Sequence, residues 1–278
     1  MKDKDNEIES LFEKYGSNKL MHEYAKIYFS YLEKIKDKKL NILEIGIADG
    51  KSLKAWSDYF SNSTIIGIDI KKIDKNKKGL DKSNIEVYQG SQSDKKFIED
   101  IINKYKKFDI IIDDGSHYPK DVINSFELLF PALSVDGLYF VEDIQTSYIH
   151  FFKGNPFDLK YAKTHMNFFK NLTDSLNYRE IANPFYKKNK YDSKIVNVSF
   201  YHNMVVIKKG INDTESNLVL NNSYENKRYL TRISQKGFSP KYYLKYKIIF
   251  KIYTLIIFIL NLLKKIILLR FWLLFKQA

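Results

Sequence analysis

Short apolar runs alternate with longer amphipathic stretches through the middle of the chain. The runs predict five strands, at residues 41–46, 64–69, 85–88, 108–112 and 137–141. The spacing of apolar residues predicts helices at 52–60, 95–106 and 119–130. Because strands and helices alternate in this way, we expect an α/β protein in which helices cover both faces of a mostly parallel sheet.

The segments on either side of this pattern predict further elements. Residues 6–37 have helix-like spacing with an interruption at 16–18. The stretches 194–200 and 204–208 predict an antiparallel hairpin that closes the edge of the sheet. We therefore expect four parts, which are a helical segment at 1–40, the α/β domain at 41–210, a polar linker at 211–240 and a tail at 241–278.

Composition and charge narrow the classes of function. The 278 residues contain no cysteine, which excludes disulfides, thiolate metal sites and a cysteine nucleophile. The first ten residues are charged and lack the apolar stretch of a secretory signal, so we expect a cytoplasmic protein. The net charge is +13, but only four of the 46 basic residues are arginine, the residue that base and phosphate recognition favours. We therefore expect no nucleic-acid partner.

Much of the excess charge lies in the tail at 241–278, which has eight basic residues and no acidic one. Residues 248–263 are apolar at all but three positions. As a helix this stretch would span about 24 Å, less than the roughly 30 Å of a bilayer core. With most of its lysines on one helix face, the tail is predicted to be a basic amphipathic helix at the inner surface of the membrane. The alternative is a helix that packs on the domain or in a homo-oligomer interface.

Three strand ends carry residues that suit a nucleoside ligand, because open α/β sheets bind ligands at the carboxyl ends of their strands. Glu44, Gly46 and Gly50 follow the first strand, and the glycines allow the backbone to approach a ligand at a helix start. Asp69 ends the second strand, where a carboxylate can accept hydrogen bonds from a ribose diol. Residues 90–94 follow the third strand and offer polar contacts to a base. The spacing is not G-x-G-x-x-G, and an ordinary strand–helix turn is the alternative.

Acidic residues follow the next two strands. Asp113 and Asp114 end the fourth strand, and Glu142 and Asp143 end the fifth. Carboxylates brought together in this way repel one another unless a cation or a proton intervenes, and oxygen ligands suit Mg²⁺ or Mn²⁺. The sequence leaves open which of Asp113 and Asp114 is a ligand, and helix caps and solvated loop acids are the alternative. His117 lies just beyond the acid pair and is a candidate general base.

In combination these motifs resemble those of class I S-adenosylmethionine-dependent methyltransferases. More narrowly, residues 10–210 resemble the metal-dependent sugar O-methyltransferases of the macrocin and mycinamicin types. The matching segments are 14–19 with His22 and Tyr24, 43–46, 67–69, 92–94, 113–117, 141–146 and 200–206. One departure is Asn18, at a position where we expect an acidic residue.

The resemblance implies a Rossmann-like fold with a seven-stranded, mostly parallel sheet that ends in an antiparallel hairpin. It implies O-methyl transfer from S-adenosylmethionine to a sugar-containing acceptor, with Mg²⁺ (or Mn²⁺) as the metal. His117 is the implied base, and the implied metal ligands are Asp114, Glu142 and Asp143. The implied cofactor contacts are Glu44, Gly46, Gly50, Asp69, Gln92, Ser93 and Asp113.

Three other functions compete with this interpretation. A methyltransferase for exocyclic amines of bases usually has an Asn/Asp-Pro-Pro-Tyr-type loop after the fourth strand, which this chain lacks. A catechol-type O-methyltransferase would use a similar metal site, so the sequence leaves it open. The acids and the histidine argue against a non-catalytic, membrane-associated binding protein. The acceptor surface is expected within 145–190, where aromatic residues suit a sugar face but equally suit the core of a lid.

Overall fold

Seven strands form one sheet, and its topology confirms the predicted fold class. The structure, a computed structural model, describes residues 6–73, 79–181 and 186–213, together with residues 252, 256, 259 and 263. The strands are β1 (Asn41–Ile45), β2 (Thr64–Asp69), β3 (Ile85–Gln89), β4 (Phe108–Asp113), β5 (Leu133–Val141), β6 (Ile195–Tyr201) and β7 (Met204–Lys209). Their order in the sheet is β3-β2-β1-β4-β5-β7-β6. Strands β1 to β5 run parallel, and the β6–β7 hairpin is antiparallel, as predicted.

Helices cover both faces of this sheet. They are α1 (Glu7–Tyr15), α2 (Tyr24–Leu32), α3 (Lys51–Tyr59), α4 (Lys95–Tyr105), α5 (Pro119–Leu129) and α6 (His165–Leu176). Helices α1 to α3 contribute to one apolar core, and α4 to α6 contribute to the other. In β4 the side chains alternate between the two cores, because successive residues of a strand point to opposite faces.

The N-terminal helices belong to the body of the domain. Phe12 of α1 and Tyr28 of α2 pack against Trp56 of α3, with ring centroids 5.0 and 4.9 Å apart. Tyr28 also packs on Phe140 of β5 at 4.7 Å. These contacts hold the segment between α1 and α2 over the carboxyl ends of the strands.

Two boundaries differ from the predicted ones by more than a residue or two. Strand β5 begins at Leu133, four residues earlier than the predicted start at Gly137. This part of the strand was not predicted because Ser134 and Asp136 interrupt the apolar pattern. The β4–β5 register shifts between Phe108 and Ile110. The predicted helical interruption at 16–18 is longer, since α1 ends at Tyr15 and α2 begins only at Tyr24.

The predicted linker and tail lie outside the described residues except at a few positions. One compact unit spans Met1–Glu215 and a second spans Ser216–Ala278. In the second unit, Ile252, Ile256, Ile259 and Leu263 are helical and about half exposed. No helix in the described part of the chain is long and apolar enough to cross a membrane.

Candidate active site

A cleft of about 260 Å³ opens where the parallel strands end. Loops after β1, β2, β4 and β5 line it together with the segment before α2. It brings together five of the predicted site residues, which are Gly46, Asp69, Asp114, His117 and Asp143. The other lining residues are Ser17, Asn18, Ile47, Ala48, Asp49, Lys51, Ser52 and Gly115.

The loop after β1 lies against the loop after β4, and this contact requires glycine at position 46. Gly46 has a φ of 82°, in the left-handed region. A Cβ atom at this position would lie 2.1 Å from the backbone oxygen of Asp114. A side chain at position 46 would therefore displace Asp114 or the loop that carries it.

Asp69 joins two of the loops that line the cleft. Its Oδ2 accepts a hydrogen bond from the Ala48 amide at 3.0 Å, and its Oδ1 accepts one from the Lys71 amide at 2.8 Å. Each carboxylate oxygen has two lone pairs. Asp69 can therefore hold the loop after β1 and still accept a hydrogen bond from a ligand in the cleft.

Asp114, His117 and Asp143 form a group of side chains that can bind a metal ion. One ligand atom from each lies within 4.8 Å of the others. His117 Nε2 is 3.6 Å from Asp143 Oδ2 and 3.9 Å from Asp114 Oδ1. All three residues line the cleft. A metal ion held by the two carboxylates of this group would face a ligand in the cleft directly, with His117 beside them.

A buried lysine from the N-terminal segment contacts the acids from behind. Lys19 is 1% exposed, and its Nζ lies 2.6 Å from both Asp114 Oδ2 and Glu142 Oε1 and 3.2 Å from Glu44 Oε1. Burial alone would lower the pKa of Lys19, but the charges of the three carboxylates outweigh burial and hold it well above its usual value. The ammonium therefore stays charged.

Two tyrosines of α2 donate hydrogen bonds to acids at the ends of the strands. Tyr24 Oη donates to Asp143 Oδ1 at 2.8 Å, and Tyr28 Oη donates to Glu142 Oε1. Together with Lys19, they bind one oxygen of each acid, namely Asp114 Oδ2, Glu142 Oε1 and Asp143 Oδ1. These three donors leave the second oxygen of each carboxylate to other partners. Glu142 is 3% exposed and lies outside the lining of the cleft, so its role as a metal ligand stays a prediction.

The charges in this cluster favour a bound cation. Burial, followed by the charge of Asp114, raises the pKa of Glu142 to about 8, and burial also raises the pKa of Glu44. Lys19 brings one positive charge to four acidic groups, so the cluster is negative when they are all ionised. Carboxylate oxygens are the ligands that Mg²⁺ prefers. The residues present therefore fit a magnesium ion.

The two-residue period of the strands explains which acid lies where. In β4, Ile110 and Ile112 face the core with α1 to α3, whereas Ile111 faces the other core. By the same alternation, Asp114 lies on the face of Ile110 and Ile112, and Asp113 lies on the face of Ile111. The structure thus places Asp114, and not Asp113, in the cleft with the N-terminal segment.

Asp113, Gln92 and Ser93 lie outside the cleft lining in the described structure. Asp113 is 1% exposed and accepts hydrogen bonds from Ser125 Oγ and, at 3.2 Å, from Gln92 Nε2. Burial raises the pKa of Asp113 to about 6. Ser93 Oγ donates to Asp121 Oδ1 at 2.6 Å. These contacts connect the loop after β3 and the end of β4 to α5. A role of the three residues in cofactor binding stays a prediction.

Glu44 and Gly50 are also absent from the lining of this cleft. Glu44 is fully buried and accepts a hydrogen bond from Ser52 Oγ at 2.9 Å, in addition to its contact with Lys19. Gly50 has a φ of 76° and precedes the first residue of α3. Glu44 thus connects the start of α3 with the acidic cluster, and its contact with a cofactor stays a prediction.

Lys19, Tyr24 and Tyr28 were not among the predicted site residues, although the segments that carry the family resemblance include Lys19 and Tyr24. A signal for them was present, because strand alternation places Glu44, Asp114 and Glu142 on the same face of the sheet. Several buried acids on one face require donors. The N-terminal segment supplies these donors because it covers this face of the sheet.

Removal of the buried His165 is expected to alter how stability depends on pH. His165 is fully buried, and burial, followed by the charge of His117, lowers its pKa to about 4. Between pH 6.5 and 4 the unfolded chain binds a proton that the native state does not, so stability falls as the pH falls. The full loss corresponds to about 3 kcal/mol.

The matched variant is His165→Gln, which keeps an N–H donor but does not titrate. We expect chemical denaturation to show a smaller loss of stability between pH 6.5 and 4 for this variant than for the wild-type protein. Parallel curves for the two proteins would contradict the assignment of this loss to His165.

Comparison with known proteins agrees with this geometry. No family model matches the chain. It is 32% identical over 201 residues to the mycinamicin VI 2''-O-methyltransferase of Micromonospora griseorubida, across 69% of this chain and 49% of that protein. It is 33% identical over 217 residues to the demethylmacrocin O-methyltransferase of Streptomyces fradiae, across 74% of this chain and 53% of that protein.

A solved structure matches as well. The MycE methyltransferase of the mycinamycin biosynthetic pathway, in complex with Mg and SAH, superposes with a TM-score of 0.72 at 29% identity. The match covers 81% of this chain and 60% of that one. The chain is a relative of the macrocin- and mycinamicin-type O-methyltransferases. This confirms the resemblance and the class I methyltransferase fold, although the chain spans only about half the length of the curated relatives it matches.

Proposed function

We propose that this class I methyltransferase transfers a methyl group from S-adenosylmethionine to a sugar hydroxyl of a glycan or glycosylated metabolite, with the help of Mg²⁺. The observation that carries the proposal is the convergence of Asp114, His117 and Asp143 within 4.8 Å in the cleft that Gly46 and Asp69 line. The similarity to relatives named as O-methyltransferases, one of them for a rhamnosyl tetracenomycin, supports the choice of reaction.

The chain's own residues supply the remaining chemistry. Asp114, Glu142 and Asp143 would hold Mg²⁺, which when bound acts as a Lewis acid that orients a hydroxyl and stabilises its developing negative charge. His117 lines the cleft with its Nε2 3.6 Å from Asp143 Oδ2, and would accept the hydroxyl proton as the methyl group is transferred. The loop after β1 and Asp69 would bind the cofactor.

The acceptor surface is proposed to lie beside His117. The rings of Phe152 and His117 meet edge to face with centroids 6.1 Å apart, and Phe151 packs on Phe152 at 5.2 Å. Phe151 is 75% exposed, so its ring is available to a sugar face. His165 is buried, and Phe168 packs against the apolar core, so these two aromatic residues of the segment serve the fold.

Purified protein with labelled S-adenosylmethionine, Mg²⁺ and a panel of deoxysugar glycosides and catechols tests the proposal. We expect one methyl group to be added to a glycoside hydroxyl and the reaction to stop in excess EDTA. His117→Ala should lower turnover by about 100- to 10,000-fold, because general base catalysis is lost. His202→Ala, at an exposed histidine in the β6–β7 turn, is the matched control.

The outcome separates the competing functions. Transfer to catechols but to no glycoside would favour a catechol-type enzyme. Absence of transfer to both classes, with S-adenosylmethionine bound, would favour a binding protein that retains the fold.

Contact of the tail with an anionic membrane is the last part of the proposal. Ile252, Ile256, Ile259 and Leu263 recur at intervals of three and four residues, which places them on one helix face. The eight basic residues of 241–278 suit an anionic lipid surface. An acceptor carried by a membrane-bound glycan would fit such a location.

A further inference from the structure

The two groups that face each other in the site, His117 and Asp143, both have unusual backbone conformations. Their φ angles are 58° and 52°, in the left-handed region that residues other than glycine rarely adopt. Such conformations persist only where surrounding contacts hold them. The distance of 3.6 Å between His117 Nε2 and Asp143 Oδ2 depends on these contacts.

One buried hydroxyl contacts the backbone of both residues. Thr146 is 4% exposed, and its Oγ1 lies 2.8 Å from the carbonyl oxygen of Asp143 and 3.2 Å from that of His117. These carbonyls belong to the loops after β5 and β4, respectively. Thr146 therefore connects the loop that carries His117 with the loop that carries Asp143.

A third group completes this contact. His165 Nε2 lies 3.3 Å from Thr146 Oγ1. A hydroxyl has one proton, which Thr146 shares between the two carbonyl oxygens, with the shorter contact to Asp143, so His165 donates its Nε2–H to the hydroxyl oxygen. Burial lowers the pKa of His165 to about 4, so its ring stays neutral. The contacts therefore run from His165 in α6 through Thr146 to the backbone of His117 and Asp143.

We propose that Thr146 is a positioning residue, whose hydroxyl fixes the backbone of His117 and Asp143 and thereby the separation of the base from the metal-binding acid. The role in turnover rests on the proposed function, whereas the role in metal binding needs only the geometry of the site. Substitution of groups that orient metal ligands typically lowers metal affinity or activity by about 10- to 100-fold.

The test compares Thr146→Val, which replaces the hydroxyl with a methyl group, with Thr146→Ser, which keeps the hydroxyl. For Thr146→Val we expect Mn²⁺ affinity and kcat to fall by about 10- to 100-fold, with an unchanged KM for S-adenosylmethionine. Thr146→Ser should stay within about threefold of the wild-type protein in both measurements, because it keeps the hydrogen bonds. Thr146→Ala is the second variant if the valine variant does not fold.

Each outcome decides one part of the inference. Valine and alanine variants that fold and bind Mn²⁺ with wild-type affinity would overturn the proposal, as would a serine variant as weak as valine. If the wild-type protein transfers no methyl group but Mn²⁺ affinity falls in the valine variant alone, the proposed function fails and the positioning role stands.

Discussion

Lys19→Met is expected to lower the free energy of unfolding by about 3–5 kcal/mol, the cost of leaving buried charges without their partner. The lysine is 1% exposed and lies within 2.6 Å of Asp114 and Glu142. Methionine has a similar length but no charge, so the carboxylates would have to take up protons or repel one another. Chemical denaturation at neutral pH without divalent ions measures the effect.

Lys36→Met provides the matched control. Lys36 pairs with Glu7 at 2.6 Å, but both side chains are largely open to water, with exposed fractions of 32% and 47%. Ion pairs at exposed positions contribute about 0–1 kcal/mol. If Lys19→Met were no more destabilising than Lys36→Met, the ammonium would not be holding these acids together.

Asp143→Asn is expected to lower methyl transfer by about 1,000-fold or more. Asp143 lines the cleft, and its Oδ2 faces His117, so the amide removes a charged metal ligand next to the base. A metal ion that stabilises developing negative charge contributes several kcal/mol, and each 1.36 kcal/mol is a factor of ten in rate. Initial rates at saturating Mg²⁺ and S-adenosylmethionine measure the loss.

The control for this variant is Asp136→Asn. Asp136 lies in the exposed part of β5, is 77% exposed and pairs with Lys208. The same loss of charge there should leave the rate unchanged. Equal rates for the Asp143 and Asp136 variants would exclude Asp143 from the catalytic step.

The fold could be predicted from the sequence because its signals are local. Largely apolar runs such as residues 108–112, where Asp109 is the one polar residue, identify buried strands wherever they pair, and residues such as Gly46 and Asp69 mark the strand ends. The early start of β5 was not predicted because Ser134, Asp136 and Gly137 interrupt the apolar pattern and the pairing there depends on a neighbouring strand. The positions of the apolar strand segments were therefore predictable, whereas the extension of β5 beyond its apolar segment was not.

The site was predictable to the extent that strand ends determine it. The acids and His117 follow strands that are neighbours in the sheet, so their convergence follows from topology. The partners of these acids come from distant parts of the chain. Lys19 lies 95 residues from Asp114 in sequence, and Tyr24 lies 119 residues from Asp143. Neither pairing leaves a spacing pattern that the sequence alone can reveal.

Metal binding in the absence of any acceptor tests the central claim most directly. Mn²⁺ titration of the wild-type protein and of Asp143→Asn, followed by electron paramagnetic resonance in saturating S-adenosylhomocysteine, measures the site without knowledge of the sugar. The account predicts one Mn²⁺ bound per wild-type chain and an affinity at least about tenfold lower in the variant, with S-adenosylhomocysteine still bound. Equal Mn²⁺ affinity in the two proteins would contradict it.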